Sequence, residues 1–427
     1  MIRTATRMLL LTSVLLAAPA AAAVYHVPGD YPTIQQALNV SGFGDVVLVS
    51  DGTYTENLSL GAGQNGVTLK SENGAATTII DGGRVTSVIQ CSAVGATTRI
   101  EGFTIRNGGD NPVLTTLGGG LHLDGSSPTI AHNVIVSNYG VSAGGIYVDG
   151  GSPEITDNEI RDNEASHGSG GGIYYDHAAA GLFARNTVAG NTADAYGGAM
   201  TTWFFSSPTV DANVFDGNTA KLAGGALYLN NQSSITISNN VFLHNTCPGG
   251  SGGAIYYDHF TTGPLRGNVV ARNKAGAYAG GVTIWEGSAP SVESNTIVYN
   301  EAPLGGAGLY VTRGSHVDML RTIVAFNTNG GVGIGLDSSV QPTCGDVYGN
   351  AIANWDGMPD PTGTNGNIAL DPLFCDPAQD VYTLATTSPC AAAHSPGSCG
   401  LIGARDVACG ATPNRPATWG AFKARYR

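Results

Sequence analysis

Two columns of asparagine recur through the middle of this chain about every 27 residues. The first column consists of Asn138, Asn163, Asn191, Asn218, Asn245, Asn273, Asn300 and Asn327. The second lies five residues earlier in each repeat and consists of Asn133, Asn158, Asn186, Asn213, Asn240, Asn268 and Asn295. Glycine pairs keep the same rhythm, from Gly144-Gly145 to Gly280-Gly281. Such self-similarity is typical of a solenoid, in which each unit buries its apolar face only by stacking on its neighbours.

The residues between these columns indicate which solenoid forms. An apolar side chain lies three residues before each asparagine, as Phe215 does before Asn218. Within a coil, apolar and polar residues alternate with period two and β-branched and aromatic residues are frequent, which favours strands over helices. The sequence therefore predicts an all-β, single-stranded parallel β-helix with about 27 residues per coil. It should be right-handed, because crossovers between parallel strands are almost always right-handed.

Both asparagine columns are expected to be structural. Strands of adjacent coils lie ~4.8 Å apart, so identical amide side chains on successive coils can hydrogen-bond one another as ladders. A buried amide needs partners of this kind, and the neighbouring coil provides them.

The chain is expected to divide into five parts. These are a signal peptide at 1–23, an N-terminal cap at 24–44, the β-helix at 45–350, a cysteine-stapled C-terminal cap at 351–410 and a tail at 411–427. The signal peptide is indicated by Arg3 and Arg7 ahead of an apolar stretch, followed by alanines at the cleavage position. It predicts a secreted or cell-surface protein, and no other run is long enough to span a bilayer.

The two caps are expected to cover the open sheet edges at the ends of the β-helix. Pro32 suits the first turn of a short helix that buries Ile34, Ala37 and Leu38. The C-terminal part holds five of the seven cysteines, which fits an exported protein. Their pairing stays open, the odd total leaves one thiol free or bonded between chains, and the absence of a CxxC pair argues against zinc.

Net charge limits the partners of this chain. A formal charge of −13 and a pI near 4.9 argue against nucleic acid and against unaided binding of polyanions. Neutral glycans are compatible with this charge, and so are anionic glycans bridged by Ca²⁺. The expected partner is an extracellular polysaccharide or cell-surface glycan, bound by a monomer that requires no cofactor.

The stretch after each glycine pair carries aromatic and acidic residues on one outward face. Parity with the inward residues Leu121, Ile146 and Ile173 makes this face solvent-facing. Flat rings beside polar groups suit sugar recognition. The predicted glycan-binding residues are Tyr147, Tyr174, Trp203, Tyr228, Tyr256, Trp285 and Tyr310.

Two aspects of this face allow other interpretations. Ile284 breaks the outward column, and a register slip in that coil would make Trp285 point outward instead. The tyrosines can also simply pack on their neighbours in adjacent coils, while the aspartates close the turn that ends each strand.

One tetrapeptide occurs twice, as Tyr174-Tyr175-Asp176-His177 and as Tyr256-Tyr257-Asp258-His259. Tyrosine and histidine can serve as base and acid in polysaccharide elimination, so the candidate catalytic residues are Tyr174, His177, Tyr256 and His259. Three coils separate the two copies by ~14 Å, too far for one constellation. Repeat duplication explains the identity equally well.

A metal site is a further hypothesis for this face. Asp124, Asp149 and Asp176 occupy one column on three successive coils, so their carboxylates should lie ~4.8 Å apart. Carboxylates at that distance repel one another, and a Ca²⁺ ion between them would remove the repulsion. The alternative is that Asp124-Gly125 and Asp149-Gly150 close turns.

Several stretches resemble known families. Phe215-Asp216-Gly217-Asn218, alternating with Gly224-Gly225-Ala226-Leu227, resembles the repeats of polymorphic outer-membrane proteins. The opening from Tyr31 through Asn57 looks like the start of pectin-lyase-like β-helix proteins, and Asp371-Pro372-Leu373-Phe374 resembles the end of bacterial secreted β-helix repeat proteins. This resemblance implies a secreted pectin-lyase-like β-helix but no particular activity, because the superfamily holds lyases, hydrolases, esterases, epimerases and adhesins.

The resemblance also has limits. Gly52–Glu56 matches the GxYxE motif of pectin methylesterases, but the later motifs with their catalytic aspartates are missing.

The expected function is extracellular recognition, with a glycan bound along the tyrosine and aspartate face. The alternatives are a polysaccharide lyase or glycosidase that uses the same face, and a structural or adhesive surface protein without a small ligand.

Overall fold

The structure is a computed structural model that describes residues 22–109 and 116–410. Most of the predicted signal peptide and all of the predicted tail lie outside these residues. The described chain forms a right-handed parallel β-solenoid of about 13 turns with about 27 residues per turn, so the predicted fold is confirmed. Within the two described ranges, no helix is long and apolar enough to cross a membrane.

Three long sheets and one short sheet run along the solenoid, and each strand pairs in parallel with those of the adjacent coils. We call the sheet after the glycine pairs the tyrosine sheet. From it the chain passes through the second, third and short sheets. The tyrosine sheet contains Leu58–Leu60, Ile89–Ser92, Leu121–Asp124, Ile146–Asp149, Ile173–Asp176, Met200–Thr202, Leu227–Leu229, Ile255–Tyr257, Val282–Ile284, Leu309–Val311, Val332–Ile334 and Trp355–Asp356.

The other sheets have similarly short strands. The second contains Val24–Val27, Val46–Val49, Thr68–Ser71, Arg99–Glu101, Thr129–Ala131, Glu154–Thr156, Leu182–Ala184, Thr209–Asp211, Thr236–Ser238, Leu265–Arg266, Val292–Glu293, His316–Leu320 and Ser339–Thr343. The third contains Gly52–Thr55, Thr78–Asp81, Thr104–Arg106, Val134–Val136, Glu159–Arg161, Thr187–Ala189, Val214–Asp216, Val241–Leu243, Val269–Ala271, Thr296–Val298, Ile323–Ala325 and Asp346–Tyr348. The short sheet contains Tyr139–Gly140, Glu164–Ala165, Thr192–Ala193, Thr219–Ala220, Thr246–Cys247 and Lys274–Ala275.

The asparagine columns form the predicted ladders. The backbone N–H and the side-chain Nδ2 of Asn218 both donate to Oδ1 of Asn245 in the following coil, each at 3.0 Å. The same Nδ2 donates to the carbonyl oxygen of Val188 in the preceding coil at 2.9 Å. Asn213 bonds to Asn240 in the same way in the second column. Because Asn218 is fully buried, the ladder satisfies polar groups that water does not reach.

Close stacking of the coils explains the glycine pairs. A Cβ added at Gly225 would lie 2.1 Å from the carbonyl oxygen of Gly253 in the next coil. Adjacent coils therefore touch through their backbones at the start of the tyrosine sheet. Inside the solenoid, core rings stack in the same direction, as Phe215 and Phe242 do at 4.8 Å.

The N-terminal cap contains α1 (Ile34–Val40), whose buried face is the predicted one. Pro32 lies ahead of the helix rather than in its first turn, because Thr33 is the N-cap residue and accepts a hydrogen bond from a backbone N–H of that turn. The strand Val24–Val27 pairs in parallel with Val46–Val49, so the second sheet already begins within the predicted cap.

Glu56 fixes this helix to the coils beneath it. Its two carboxylate oxygens accept the backbone N–H groups of Ile34 and Gln35 at 2.9 and 3.0 Å, which are free donors of the first helical turn. The hydroxyl of Tyr54 donates to the carbonyl oxygen of Ser50 at 3.0 Å. The Gly52–Glu56 motif therefore has a structural role in this chain.

The C-terminal segment adds a rung to the last coil and then folds back along the solenoid. Ile368 bridges to Asp346 in the last coil. The strands Phe374–Asp376, Val381–Ala385 and Val407–Cys409 then form a separate small sheet. Its buried residues pack on outward-facing apolar side chains of the third sheet. The segment therefore covers a lateral face of several coils in addition to the end.

Two disulfides close this segment, Cys344–Cys399 and Cys375–Cys409, which answers the pairing that the sequence left open. Three cysteines are free rather than one, namely Cys91, Cys247 and Cys390, and all three are buried. Disulfides of this kind are consistent with an oxidising, extracellular type of compartment.

Candidate functional site

The tyrosine sheet places the predicted glycan-binding tyrosines in register. Tyr147 pairs with Tyr174, and Tyr228 pairs with Tyr256. The ring centroids of the two pairs lie 5.4 and 5.7 Å apart. Tyr147 and Tyr228 are only 5% and 3% exposed. The predicted solvent exposure is therefore wrong for these residues: they point outward, but their neighbours cover them.

Two tyrosines from the turns ahead of the strands complete this cover. Tyr196 stacks on Tyr228, and Tyr278 stacks on Tyr310, each with ring centroids 4.4 Å apart. Tyr196 lies directly before the pair Gly197-Gly198, and Tyr278 lies two residues before the pair Gly280-Gly281. Sequence reasoning missed both because it assigned these positions to turns without side-chain packing.

The coil of Ile284 keeps its register. Thr283 pairs with Tyr256 and Tyr310 and takes the outward position, whereas Ile284 is fully buried in the core. The predicted register slip therefore does not occur. Trp285 follows the strand and is half-buried, with its ring centroid 6.2 Å from that of Tyr256.

The exposed part of this face lies at the corner where the chain leaves the tyrosine sheet. Two successive residues adopt left-handed conformations there, with φ of 44° and 63° at Phe204 and Phe205, and 44° and 60° at His259 and Phe260. Phe205 and Phe260 are each 58% exposed. We call this surface the corner ridge, and it consists of His177, Phe204, Phe205, His259, Phe260 and Glu286.

The backbone of the corner ridge is strained. A left-handed conformation costs a non-glycine residue roughly 1–2 kcal/mol. Other coils place glycine, alanine or glutamine at the second position, as at Gly287, and left-handed residues recur at other corners, so the large rings rather than the conformation set this ridge apart. Sequence reasoning missed Phe204, Phe205 and Phe260 because it followed strand periodicity only to the strand ends. The signal was available, since large aromatic residues stand where a corner favours glycine or asparagine.

The structure splits each tetrapeptide between two faces, because successive strand residues point to opposite sides. Tyr174 and Tyr256 point outward. Tyr175 and Tyr257 are fully buried inside the solenoid, and their hydroxyls have no hydrogen-bond partner among the described residues. The second tyrosine of each copy is therefore a core residue.

The aspartate of each tetrapeptide is fixed by the preceding coil. The hydroxyl of Tyr147 donates to Asp176 Oδ2, and that of Tyr228 donates to Asp258 Oδ2, both at 2.8 Å. Burial of the tyrosine and then its carboxylate partner raise the pKa of Tyr147; the same two causes raise the pKa of Tyr228. Both hydroxyls therefore stay protonated and keep donating.

His177 is exposed and is oriented by the coil before it. Its Nδ1 lies 2.7 Å from Asp149 Oδ1, and its ring stacks on Phe204 with centroids 5.8 Å apart. The hydrogen bond to Asp149 and the charge of Asp176 raise the pKa of His177. The carboxylates hold the imidazole in place and favour its charged form.

His259 has different partners although it belongs to the same tetrapeptide. Its Nδ1 lies 3.0 Å from Asp258 Oδ1, and its Nε2 lies 3.5 Å from Glu286 Oε2 in the following coil. The coil that follows His177 has Phe204 in the position of Glu286. The two copies therefore differ in what the next coil presents to the imidazole.

The candidate catalytic tyrosines are poor bases. Burial, and then the carboxylate of Asp176, raise the pKa of Tyr174; burial and Asp258 do the same for the pKa of Tyr256. Both phenols therefore keep their protons near neutral pH. The two copies also stay apart, because the strands Met200–Thr202 and Leu227–Leu229 lie between them.

The predicted calcium-binding aspartates are in register, with Asp124 paired to Asp149 and Asp149 to Asp176. Protein groups contact all three carboxylates. Ser92 donates to Asp124 at 3.2 Å. Asp149 contacts the imidazole of His177, and Asp176 accepts the hydroxyl of Tyr147. An ion bound between these carboxylates would have to replace some of these contacts.

Comparisons with known proteins bear on the fold. Residues 87–262 match the family profile described as the right-handed β-helix region, and residues 204–356 match that of the periplasmic copper-binding protein NosD. No curated protein sequence matches the chain.

Among solved structures, the chain is similar to pectate lyase Pel9A, with 13% sequence identity and a TM-score of 0.50, over 90% of this chain and 96% of that one. It is less similar to a GH87 alpha-1,3-glucanase catalytic unit from Streptomyces thermodiastaticus strain HF3-3, with 16% identity and a TM-score of 0.44 over 83% and 68% of the two chains. For pectin methylesterase from carrot the identity is 13% and the TM-score 0.36, over 86% and 92%. At such sequence identities the similarity to pectate lyase Pel9A shows a common fold and nothing further. The two structures with TM-scores below 0.5 are too dissimilar to support a conclusion about this chain.

Proposed function

We propose that this right-handed parallel β-helix protein, whose fold resembles that of pectin-lyase-like proteins, recognises an extracellular glycan through the corner ridge. The proposal rests on one observation: exposed aromatic rings occupy strained positions at the coil corners, beside imidazole and carboxylate groups. Left-handed residues occur at other corners too, but large aromatic rings exposed to solvent at adjacent corners are what a ligand-binding surface would present.

The chemistry of the corner ridge suits sugar rings. Phe204, Phe205 and Phe260 offer flat apolar surfaces, while His177, His259 and Glu286 offer hydrogen-bonding groups at the edges. Trp285 contributes less, because the guanidinium of Arg313 lies 4.7 Å over its ring. Tyr147, Tyr228 and Tyr256 of the predicted face are buried and offer little surface to a sugar, whereas Tyr174 and Tyr310 are partly exposed beside the ridge.

The charge of the surroundings favours a neutral glycan. Asp149, Asp176, Asp258 and Glu286 lie at or beside the corner ridge, and the whole chain carries −13. A polyuronate would meet repulsion there unless a cation bridged it. Pectate lyase Pel9A shares the fold, which is compatible with a carbohydrate ligand without identifying one.

The test is binding to a panel of immobilised neutral and acidic oligosaccharides. Phe204→Ala combined with Phe260→Ala should weaken binding by roughly tenfold or more, since a buried contact ring commonly contributes above 1 kcal/mol. Phe43→Ala is the matched control, because Phe43 is 75% exposed but lies near the N-terminal end. An equal effect of the control, or undiminished binding by the double variant, would remove the ridge from the proposal.

A lyase or glycosidase activity is a second candidate, favoured by the 2.7 Å contact that holds the imidazole of His177 against Asp149. His177 and His259 would then act as acid or base, with the tyrosines only positioning them. Incubation with polyuronates and neutral glycans should yield an ultraviolet-absorbing unsaturated product or new reducing ends, lost in His177→Ala or His259→Ala. Turnover that survives both substitutions would exclude these roles, and neither binding nor turnover would favour a structural or adhesive protein.

Calcium at Asp124, Asp149 and Asp176 is also a proposal. The register supports it, whereas the hydrogen bonds that already engage these carboxylates oppose it. Calorimetric titration of the chelator-treated protein with millimolar Ca²⁺ decides the matter, and Asp149→Asn should abolish any heat. Secretion or surface attachment is proposed on the predicted signal peptide and the two disulfides.

A further inference from the structure

His259, Asp258 and Glu286 bring three potential metal-ligand atoms within 4.8 Å of one another. His259 and Glu286 are open to solvent, with side chains 47% and 44% exposed, whereas that of Asp258 is 11% exposed. An imidazole and a carboxylate that share one approach from solvent are borderline and hard donors of the kind that divalent transition metals accept.

Asp258 is already committed to an orienting role. Its Oδ2 accepts the hydroxyl of Tyr228, and that hydroxyl also accepts from Asn230 Nδ2 at 2.7 Å. Its Oδ1 accepts the backbone N–H of His259 at 2.9 Å and faces Nδ1 of the same residue at 3.0 Å. An imidazole whose Nδ1–H donates to a carboxylate presents Nε2 as the ligand atom, which is the arrangement that supports metal-bound histidines.

We propose that His259 Nε2 and Glu286 hold a divalent transition-metal ion, with Asp258 orienting the imidazole. Nε2 and Glu286 Oε2 are 3.5 Å apart, a separation that two ligands of one zinc ion adopt when each bond is ~2.1 Å. The remaining positions of the ion would face solvent. The ion would bind here whether or not a glycan occupies the corner ridge.

The chain carries its own comparison for this site. The first copy of the tetrapeptide has the same aspartate, held in the same way, and the same histidine. Its following coil presents Phe204 instead of a carboxylate, and Asp149 of the preceding coil occupies Nδ1 of His177. The first copy therefore lacks the acidic ligand beyond Nε2, and the site belongs to the second copy alone.

The donor atoms at this site also decide which metal ion, and in which oxidation state, can bind there. Within residues 204–356, which match the copper-binding profile, Cys247 and Met319 are buried in the core and Cys344 is in a disulfide. These soft donors do not meet at a site that could hold copper(I). The nitrogen and oxygen donors of His259 and Glu286 fit zinc or copper(II). The absence of a CxxC pair does not count against zinc here, because neither donor is a cysteine.

The experiment titrates the chelator-treated, full-length protein with zinc chloride near neutral pH, followed by calorimetry and by the unfolding temperature. Wild type should bind zinc saturably and unfold at a higher temperature, and copper(II) should compete. Glu286→Gln and His259→Ala should each lose this binding, whereas His177→Ala should keep it. Asp258→Asn should weaken the affinity by roughly 10- to 100-fold.

Each variant is first shown to unfold at the wild-type temperature without metal, so that a loss of binding is not a loss of fold. Absence of saturable zinc binding by the wild type overturns the proposal. So does a Glu286→Gln variant that binds as wild type does, or a His177→Ala variant that loses binding to the same extent. Competition by Ca²⁺ at equal concentration would also contradict it, because calcium prefers sites made of oxygen atoms alone.

Discussion

Single amide groups hold adjacent coils together. Each ladder asparagine donates to the coils on both sides of it and accepts from one of them, so removing one side chain affects three coils. Leaving a buried donor or acceptor without a partner costs about 1–3 kcal/mol. Stability should therefore depend more on these amides than on any exposed ion pair of the surface.

Asn218→Ala tests this dependence in the middle of the stack. The backbone N–H and side-chain Nδ2 of the preceding Asn191 would lose Oδ1 of Asn218 as their acceptor. Denaturant unfolding should show a loss of about 1–3 kcal/mol. Asn39→Ala, at an exposed position near the end of α1, is the control and should change stability by less than about 0.5 kcal/mol. A loss no larger than that of the control would refute the ladder's contribution at this coil.

The corner after the tyrosine sheet combines strain with exposure. Its two left-handed positions suit glycine, yet the corner ridge has phenylalanine there. A residue that costs stability and gains little burial is expected where the exposed side chain serves function.

Phe205→Gly separates the cost of the left-handed backbone at this position from the contribution of the exposed ring to binding. Glycine adopts φ near 63° without steric cost but loses more chain entropy on folding. Stability should stay the same or rise by up to about 1 kcal/mol, while glycan binding falls. Denaturant unfolding and binding to the same oligosaccharide panel measure both quantities. A marked loss of stability would mean that Phe205 is a packing residue rather than a binding one.

Asp346 of the last coil is a buried acid that the C-terminal segment contacts, and it should make the attachment of that segment depend on pH. Burial raises the pKa of Asp346 to about 7, despite hydrogen bonds from Cys390 and the backbone of Leu370 that lower it. In the unfolded chain an aspartate titrates near 4. The folded state therefore binds the proton more tightly, so protonation of Asp346 stabilises the fold. This stabilisation is present in full below about pH 4 and is lost as pH rises to about 7.

Asp346→Asn should remove this pH dependence, because the amide does not ionise. Relative to the variant, wild type should lose stability between about pH 4 and pH 7, by on the order of 1.4 kcal/mol for each unit of pKa difference. Urea unfolding of both proteins across this range gives the comparison. A constant difference between them at every pH would show that Asp346 does not titrate in that range.

Both ends of the solenoid and part of its flank are covered by other segments of the chain. Helix α1 packs on the first coils, and the disulfide-closed segment lies on the last coils and on the third sheet. Edges that would otherwise recruit another chain are thereby blocked.

A single chain should accordingly be stable without self-association. Light scattering on the purified protein should give the mass of one chain, and small-angle scattering should show a rod, since about 13 turns at ~4.8 Å extend roughly 60 Å. A mass twice that of the chain that persists on dilution would contradict the predicted monomer.

The repeat alone determined much of this architecture. A fixed period of about 27 residues places equivalent residues side by side, so the register of Asn218 on Asn245 and of Tyr147 on Tyr174 followed from counting. Each coil contacts only its neighbours, and the sequence repeats the residues that make these contacts in every coil.

Other features were decided only by the tertiary structure. The exposure of Tyr228 depends on Tyr196, the pairing of Cys375 depends on Cys409, and the environment of His259 depends on Glu286 in the next coil. These contacts occur at single coils or in the segment beyond the repeats, where no period aligns the partners. Packing between residues that are distant in the chain sets the geometry of these contacts. Counting along the sequence could therefore place each residue on a face, but it could not identify which residues cover it.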